Sequence, residues 1–332
     1  MPILLKNCYV LLTSVLILTM FCAASPGCTR PVAKTPQQKI VPHNGDWSIY
    51  RMDLDSLETS LIYSTLSEIQ SSALRLNNAG DRLVFAQKDN GSDDTNFEIY
   101  TVGVDGNNLK RLTNNTYWDL YPAWSPDGGQ MAFLSKRDKD LDIYITDSDG
   151  TNERKLFDSG FNDADIDWAG DRIVFTSEFA IWRMNADGTQ ATKLTDAAGR
   201  GEWGKANLPK GDYDPRLSHD GRIVIFERLE DIDDPNGGYN FFVINSDGSG
   251  ESRLTANNYA QGLASWSYSG DKIVYIVAAI YGEGKYDIYM VNADGTDNRN
   301  ITPSYYPADF LCYAPIFSAD DASIFFIGQW WK

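Results

Sequence analysis

Several acidic residues with the ligand chemistry of a calcium site come just before predicted strands. They are Asp119, Asp163, Asp165 and Asp214. Calcium binds six to eight oxygen atoms, many of them from carboxylates. A ring of these carboxylates at the mouth of a central channel would suit Ca²⁺. The alternative is that each Asp accepts hydrogen bonds from its own turn, which is common for this residue. We expect no other cofactor.

Aromatic residues accompany the acids in the same connecting segments. Their flat apolar rings suit a sugar face, a peptide side chain or a cation. Carboxylates nearby accept hydrogen bonds from hydroxyl and ammonium groups. We therefore predict one surface that binds a protein, a peptide or a glycan. Its predicted residues are Trp118, Asp119, Tyr121, Asp165, Trp203, Tyr213, Asp214, Tyr239 and Tyr305.

Catalytic constellations are scarce in the sequence. It has two histidines: His43 lies in a polar N-terminal segment, and His219 lies in a short Ser-His-Asp-Gly turn. This argues against a serine triad of the usual kind and against a histidine-ligated metal site. A pair of carboxylates could still support glycosidase-like acid/base chemistry. A carbohydrate-active hydrolase or lyase with such a pair at the channel mouth is therefore the alternative to a non-catalytic binding protein.

A sequence repeat must position these residues. Each copy has an apolar run before a turn, a second apolar run, an Ile-Tyr-like run, an Asp-Gly turn and a Leu-Thr pair. The Asp-Gly turns begin at Asp105, Asp149, Asp187, Asp247 and Asp294. Short apolar runs joined by turn residues indicate strands, and Asp-Gly favours a hairpin turn. Four strands fit each period, which is the size of a propeller blade.

The two ends of the sequence are complementary half-blades. Residues 48–52 and 60–63 would supply a third and a fourth strand, and residues 314–318 and 323–327 a first and a second strand. Joining them closes the ring and leaves no unpaired sheet edge. The predicted fold is an all-β, six-bladed β-propeller of four-stranded antiparallel blades, closed by a mixed N- and C-terminal blade. We assign it to residues 46–332.

The repeat resembles that of the TolB-like six-bladed propeller family, whose repeats are called PD40 or WD40-like. The family pattern is roughly P-x-W-S-P-D-G-x-x-I-A-F, followed by I-Y-x-M-N-x-D-G and L-T. Residues 122–133 and 287–302 are clear copies of its two parts. The resemblance covers roughly residues 46–328 and implies the fold more than a function. We expect no α/β domain of the TolB type, because only residues 28–45 separate the predicted export signal from the first strand.

Variation in length is concentrated at one end of the predicted propeller. Turns between first and second strands, and between third and fourth strands, are short. Long insertions connect second to third strands or one blade to the next, as in residues 88–96, 196–212 and 230–239. Functional residues often occupy loops that a rigid scaffold presents. This end, called here the loop-rich face, is the predicted binding face.

The N-terminal segment has the features of an export signal. Residues 1–27 contain Lys6, an apolar run to Ala24 and a stretch similar to a lipobox before Cys28. Residues 28–45 are a polar tether that contains proline. The alternatives are lipidation at Cys28 and ordinary cleavage after Ala24. We expect an exported protein of the periplasm or cell exterior, anchored through Cys28.

The net charge of −17 restricts the partners. Nucleic acid is not expected, because binding it depends on basic residues that displace counterions. Anionic lipid would not attract this chain either, so we expect membrane contact only through a lipid anchor. The expected partner is an envelope protein, a peptide or a glycan, and the protein itself is expected to be a monomer.

Overall fold

The computed structural model describes residues 46–89, 96–234, 238–256, 260–278 and 286–330. These residues form strands joined by turns and irregular loops, and none of them is in an α-helix. Within these ranges, no helix is long and apolar enough to cross a membrane. The predicted signal and the whole of the tether, including Cys28, lie outside the described residues.

Six antiparallel sheets of four strands each form the described part of the chain. The strands are β1 (Trp47–Asp53), β2 (Thr59–Thr65), β3 (Arg75–Leu76), β4 (Arg82–Lys88), β5 (Phe97–Gly103), β6 (Lys110–Arg111), β7 (Asp119–Trp124), β8 (Gln130–Ser135), β9 (Asp142–Asp147), β10 (Arg154–Phe157), β11 (Asp163–Ala169), β12 (Arg172–Ser177), β13 (Ala180–Asn185), β14 (Thr192–Lys193), β15 (Gly211–Leu217), β16 (Ile223–Leu229), β17 (Tyr239–Asn245), β18 (Ser252–Arg253), β19 (Ala260–Trp266), β20 (Lys272–Ala278), β21 (Tyr286–Asn292), β22 (Arg299–Asn300), β23 (Phe310–Phe317) and β24 (Ser323–Trp330).

The ring closes through a blade made from both ends of the described chain. Blade 1 has the order β2-β1-β24-β23, and blades 2 to 6 follow as β3–β6, β7–β10, β11–β14, β15–β18 and β19–β22. Strand β1 pairs with β24 in an unbroken antiparallel register from Trp47–Gln329 to Asp53–Ser323. The prediction of a six-bladed all-β propeller with a mixed closing blade is confirmed.

The Leu-Thr pairs have a structural reason. In four blades a Thr hydroxyl two residues beyond the outermost strand accepts a hydrogen bond from a backbone N–H of the third strand. Thr113 Oγ1 lies 2.9 Å from Ile99 N, and Thr255 Oγ1 lies 2.9 Å from Phe241 N. Thr195 and Thr302 make the same contact. The outermost strands are short, so this hydroxyl continues the pairing where the ladder ends.

The Asp-Gly turns fix the contact between neighbouring blades. The Asp carboxylate accepts a hydrogen bond from the N–H two residues further on; Thr151 N, for example, donates to Asp149 Oδ1 at 2.9 Å. Gly150 has φ 85° and lies so close to Leu112 that a Cβ atom would be 2.6 Å from the Leu112 carbonyl oxygen. Glycine is therefore required twice, for its backbone conformation and for the close approach of the preceding blade.

Aromatic pairs across the second and third strands fill the core of each blade. Phe85 stacks on Tyr100, and Phe133 contacts Tyr144, with ring centres 6.1 and 6.0 Å apart. Cross-strand aromatic pairs of this kind stabilise sheets. This explains the recurring Ile-Tyr run. The large apolar clusters join residues of neighbouring blades, such as Val84, Trp124 and Ile173, so the core is shared around the ring.

Candidate functional site

The innermost strands carry a bulge that faces the centre of the ring. The register of five of the six inner strands shifts at the same place. At each shift one residue has a positive φ: Tyr121 (51°), Asp165 (53°), Asp214 (50°), Leu263 (56°) and Ala314 (43°). A left-handed conformation costs a non-glycine residue about 1–2 kcal/mol. Neighbouring contacts must therefore hold these residues.

A side chain from the preceding blade accepts the N–H that the bulge frees. Gln70 Oε1 lies 2.9 Å from Tyr121 N, Asp165 Oδ2 lies 3.3 Å from Asp214 N, and Glu227 Oε1 lies 2.7 Å from Leu263 N. The same kind of contact occurs at the end of β15, where Leu217 N donates to Asp167 Oδ2 of the preceding blade at 2.9 Å. Acidic and amide side chains in the channel thus connect neighbouring blades.

Two arginines balance part of this acidic channel. Arg216 forms an ion pair with Asp214, and both side chains are buried. Arg75 Nε lies 3.4 Å from Asp167 Oδ1. Burial, together with the like charge of Arg216, lowers the pKa of Arg75 to about 10. The channel therefore contains a compact group of acids and bases, called here the channel cluster: Arg75, Asp165, Asp167, Asp214, Arg216 and Glu227.

Carboxyl groups in and near the channel have raised pKa values. Burial and the neighbouring Asp214 raise the pKa of Asp165 to about 6. Burial raises the pKa of Glu227 well above its ordinary range, and its interaction with Asp214 adds to this. Burial also raises the pKa of Asp119 to about 6 and that of Asp163 to about 7.

The structure does not bring the four carboxylates of the predicted calcium site together as one group: Asp165 and Asp214 interact in the channel, whereas Asp119 and Asp163 have other partners. Asp119 accepts hydrogen bonds from Ser135 and Asn115, and Asp163 accepts one from Ser159. In the described ranges, the acids whose oxygens lie within 4.8 Å of one another as a group of three are Asp138, Asp140 and Asp142. Asp138 and Asp140 lie in the connection between β8 and β9, Asp142 begins β9, and none of the three was in the predicted set. Lys155 Nζ already lies 3.1 Å from Asp138 and 2.7 Å from Asp142.

The nine predicted ligand-binding residues fall into three structural groups. Tyr121, Asp165 and Asp214 come together in the channel, since both carboxylates act on the Tyr121 hydroxyl and, with burial, raise its pKa. Trp118 and Trp203 are on the surface of the loop-rich face, with exposed fractions of 36% and 67%. Asp119 and the three remaining tyrosines are held by contacts within the protein.

Those three tyrosines fasten long loops. Tyr213 and Tyr239 pack with Ala206 and Leu229, and the Tyr239 hydroxyl donates to Asn207 Oδ1 at 2.8 Å. The Tyr213 hydroxyl donates to the Pro209 carbonyl. Tyr305 reaches across to blade 1, where its hydroxyl lies 2.9 Å from the Leu57 carbonyl. These tyrosines shape the loop-rich face.

Sequence reasoning missed four members of the channel cluster. Arg75, Asp167 and Arg216 each come immediately before the Trp position of the repeat, which is occupied by Leu76, Trp168 or Leu217. An alignment of the repeats at that residue would have placed their side chains in one ring. Glu227 lies on a second strand, where the repeat pattern gives no such signal.

A family model for the TolB β-propeller domain, PD40, matches residues 41–270. The chain belongs to the TolB β-propeller family. Among curated relatives, an uncharacterised Agrobacterium fabrum protein, Atu1656, is 30% identical over 192 residues, which is 54% of this chain and 61% of that protein. The Tol-Pal system protein TolB of Desulfosudis oleivorans is 31% identical over 124 residues, 36% of this chain and 27% of that protein. The chain thus spans less than two thirds of either relative.

Solved structures of this fold are also similar. A TolB-like protein from Agrobacterium tumefaciens has a TM-score of 0.65 at 17% identity, covering 86% of this chain and 98% of that one. TolB from Acinetobacter baumannii has a TM-score of 0.59 at 15% identity, covering 78% of this chain and 64% of that one. At these identities the similarity establishes the propeller fold.

The raised carboxyl pKa values predict that stability falls as pH rises. The pKa of Asp163 is about 7 when folded and near 3.8 when unfolded. The folded state therefore binds more protons between these values, and the stabilisation present below pH ~4 is lost as pH rises through ~7. Urea midpoints at pH 5 and pH 8 will measure this. We expect Asp163→Asn to reduce the difference between the two midpoints.

Asp187→Asn is the matched control for this experiment. Asp187 is exposed, and hydrogen bonds from Thr189 hold its pKa below the usual value. Its removal should lower both midpoints similarly, because it titrates below the tested range. The raised pKa of Asp163 would be contradicted by a wild-type urea midpoint that rises from pH 5 to pH 8. It would also be contradicted if the Asp163→Asn variant kept the wild-type difference between the two midpoints.

Proposed function

We propose that this chain is an exported, lipid-anchored and non-catalytic propeller of the cell envelope, which binds a protein, peptide or glycan on its loop-rich face. Support for an envelope role comes from curated relatives named as Tol-Pal system proteins. Support for binding comes from the surface itself. The protein acts as a rigid ring that presents long loops, and the ligand is neutral or cationic because the chain is strongly acidic.

The distribution of exposed apolar side chains carries this proposal. Nine large apolar side chains are exposed in the described ranges, and seven of them are on the loop-rich face. These seven are Leu66, Tyr117, Trp118, Phe161, Phe179, Trp203 and Leu208. The other two, Leu61 and Leu109, are on or beside outer strands. Exposed apolar surface concentrated in one region marks interaction sites.

Two basic side chains on this face make cation–π contacts with its exposed aromatic rings. Lys136 Nζ lies 5.4 Å from the centre of the Trp118 ring, and the Arg137 guanidinium lies 5.7 Å from that of Tyr117. These contacts orient the rings without covering them. A ligand can therefore pack on rings that are already positioned, which lowers the entropic cost of binding.

The binding prediction is tested with Trp203→Ala and Trp118→Ala. A screen of peptides and glycans, with and without Ca²⁺, supplies the ligand and also tests the predicted calcium site. Interface aromatics often contribute about 2 kcal/mol or more, so each change should weaken binding ~30-fold. Calorimetric titration of folded variants measures the affinity.

Leu109→Ala is the control for the two tryptophan variants. Leu109 has an exposed fraction of 47% but lies between β5 and β6, at the other end of the propeller. Its replacement should leave binding unchanged. The loop-rich face would be rejected as the binding face if both tryptophan variants bound normally and Leu109→Ala did not.

The alternative function is that of a carbohydrate-active hydrolase or lyase. It is favoured by one observation: Asp165, Asp214 and Glu227 interact in the channel, and two of them have raised pKa values. A raised carboxyl pKa is what a general acid requires. Their hydrogen bonds to bulge N–H groups already give Asp165 and Glu227 a structural role. Product analysis on every glycan that binds separates the two functions, since cleavage would overturn the non-catalytic proposal.

Lipid anchoring at Cys28 is tested by fractionation. Two anchoring groups hold a protein firmly on a membrane where one acyl chain is marginal, and a lipidated N-terminal cysteine would carry several chains. We expect the Cys28→Ser protein in the soluble exported fraction and the wild type with the membrane. A Cys28→Ser protein that stays with the membrane would show that another element anchors it.

A further inference from the structure

The channel opens into a cavity at the end opposite the loop-rich face. All six blades contribute to its wall through the ends of their inner strands and the turns that follow. Its volume is about 80 Å³, and a water-sized group needs roughly 10–15 Å³ by the same measure. The cavity therefore has room for a ligand group of several non-hydrogen atoms. Arg75, Arg216 and Asp167 of the channel cluster form its inner part.

Three buried donors on residues that line this cavity have no hydrogen-bond partner among the described residues. They are the indole N–H groups of Trp124 and Trp168 and the Nη2 group of Arg75. The corresponding indole of Trp266 differs, because its Nε1 donates to the Arg216 carbonyl at 3.2 Å. A buried donor without a partner costs roughly 1–3 kcal/mol. Three of them around one cavity indicate a place for an acceptor.

Aromatic rings line the outer part of the same cavity. The imidazole of His219 stacks on Tyr268 with ring centres 3.8 Å apart, and the Tyr268 hydroxyl donates to the Asn77 carbonyl at 3.2 Å. Burial lowers the pKa of His219, so its ring is neutral at pH 7. The outer wall therefore presents flat rings that are fixed in position, while the donors lie at the inner strands.

We propose that this cavity binds a ligand through a carboxylate group, with the rest of the ligand packed against the aromatic wall. A carboxylate has enough lone pairs to accept from both indole N–H groups and from the Arg75 guanidinium. Hydrogen bonds from a guanidinium to a carboxylate are charge-assisted and short. An ammonium group has no lone pair with which to accept from these three donors, so the donor set favours a carboxylate. This site is independent of the proposed ligand on the loop-rich face.

A free organic acid and the C-terminus of a peptide could both supply the carboxylate. The probes are therefore N-benzoylglycine and a short peptide that ends in phenylalanine, each as the acid and as the primary amide. We expect the full-length protein to bind the acids at least ~10-fold more tightly than the amides, because the amide loses the charge-assisted hydrogen bond. Tighter binding of the peptide acid would identify a chain terminus as the ligand, and tighter binding of N-benzoylglycine a small acid.

Variants that keep the ring but remove the donor give the most specific test. The double variant Trp124→Phe/Trp168→Phe removes both free indole N–H groups and preserves aromatic packing. It should lose most of the preference for the acid. Trp203→Phe, on the opposite face, is the control and should bind as the wild type does. Arg75→Gln should also abolish the preference, although its loss of the Asp167 ion pair can reduce folding.

Calorimetric titration measures the affinity of each acid and amide for the wild type and the variants, and melting temperatures show that every variant is folded. A clear preference for the acids that disappears in the double variant, with the control unaffected, supports the carboxylate site. The proposal is overturned if neither acid binds the wild type at millimolar concentration, if acid and amide bind equally, or if the double variant keeps the full preference.

Discussion

Each blade of this propeller has two apolar faces, and each face is buried only when a neighbouring blade packs against it. The core is therefore a property of the ring, as shown by the cluster that joins Val84, Trp124 and Ile173 from blades 2, 3 and 4. Residues from both ends of the described chain complete the ring, where β24 pairs with β1 over seven residue pairs. Without this pairing, two blade faces and two long sheet edges would be open to solvent, and exposed edges promote association with other chains.

Closure also determines the chemistry of the channel. Six inner strands converge there, and the bulge in five of them turns one residue per strand into a left-handed conformation. The freed N–H groups are bound by side chains of the preceding blade, among them Gln70, Asp165 and Glu227. Acids are thus drawn into a confined space, where burial raises their pKa values and two arginines offset part of their charge. A polar channel follows from the way neighbouring blades are joined.

The repeat predicted most of the fold because each of its features has a local physical cause. Asp-Gly predicted hairpins, and the structure adds that Gly150 must also admit the Leu112 carbonyl of the preceding blade. The Ile-Tyr run predicted a strand, and its tyrosine stacks on the neighbouring second strand. Closure was predictable because residues 48–63 and 314–327 are complementary halves. These features depend on residues close in sequence or on the repeat itself.

The functional sites were less predictable because they depend on residues from different blades. Trp118 and Trp203 are exposed on the predicted binding face, but the equally aromatic Tyr213, Tyr239 and Tyr305 hold loops in place instead. Residue type alone cannot separate an exposed ring from an anchoring one. The cavity opposite the loop-rich face was missed for a related reason. Trp124 lies in a clear copy of the repeat, but only the three-dimensional structure shows that the N–H groups of Trp124 and Trp168 have no acceptor among the described residues.

The most direct test of ring closure is thermal unfolding of a chain that lacks residues 313–332, with hydrogen exchange followed in blade 4. Blade 4 lies far from the deletion in sequence, and its strands β11 to β14 are all retained. If the core belongs to the whole ring, deletion should abolish the single sharp transition and reduce exchange protection in β12 and β13. A truncated chain that melts as sharply as the full chain, with blade 4 still protected, would contradict this account.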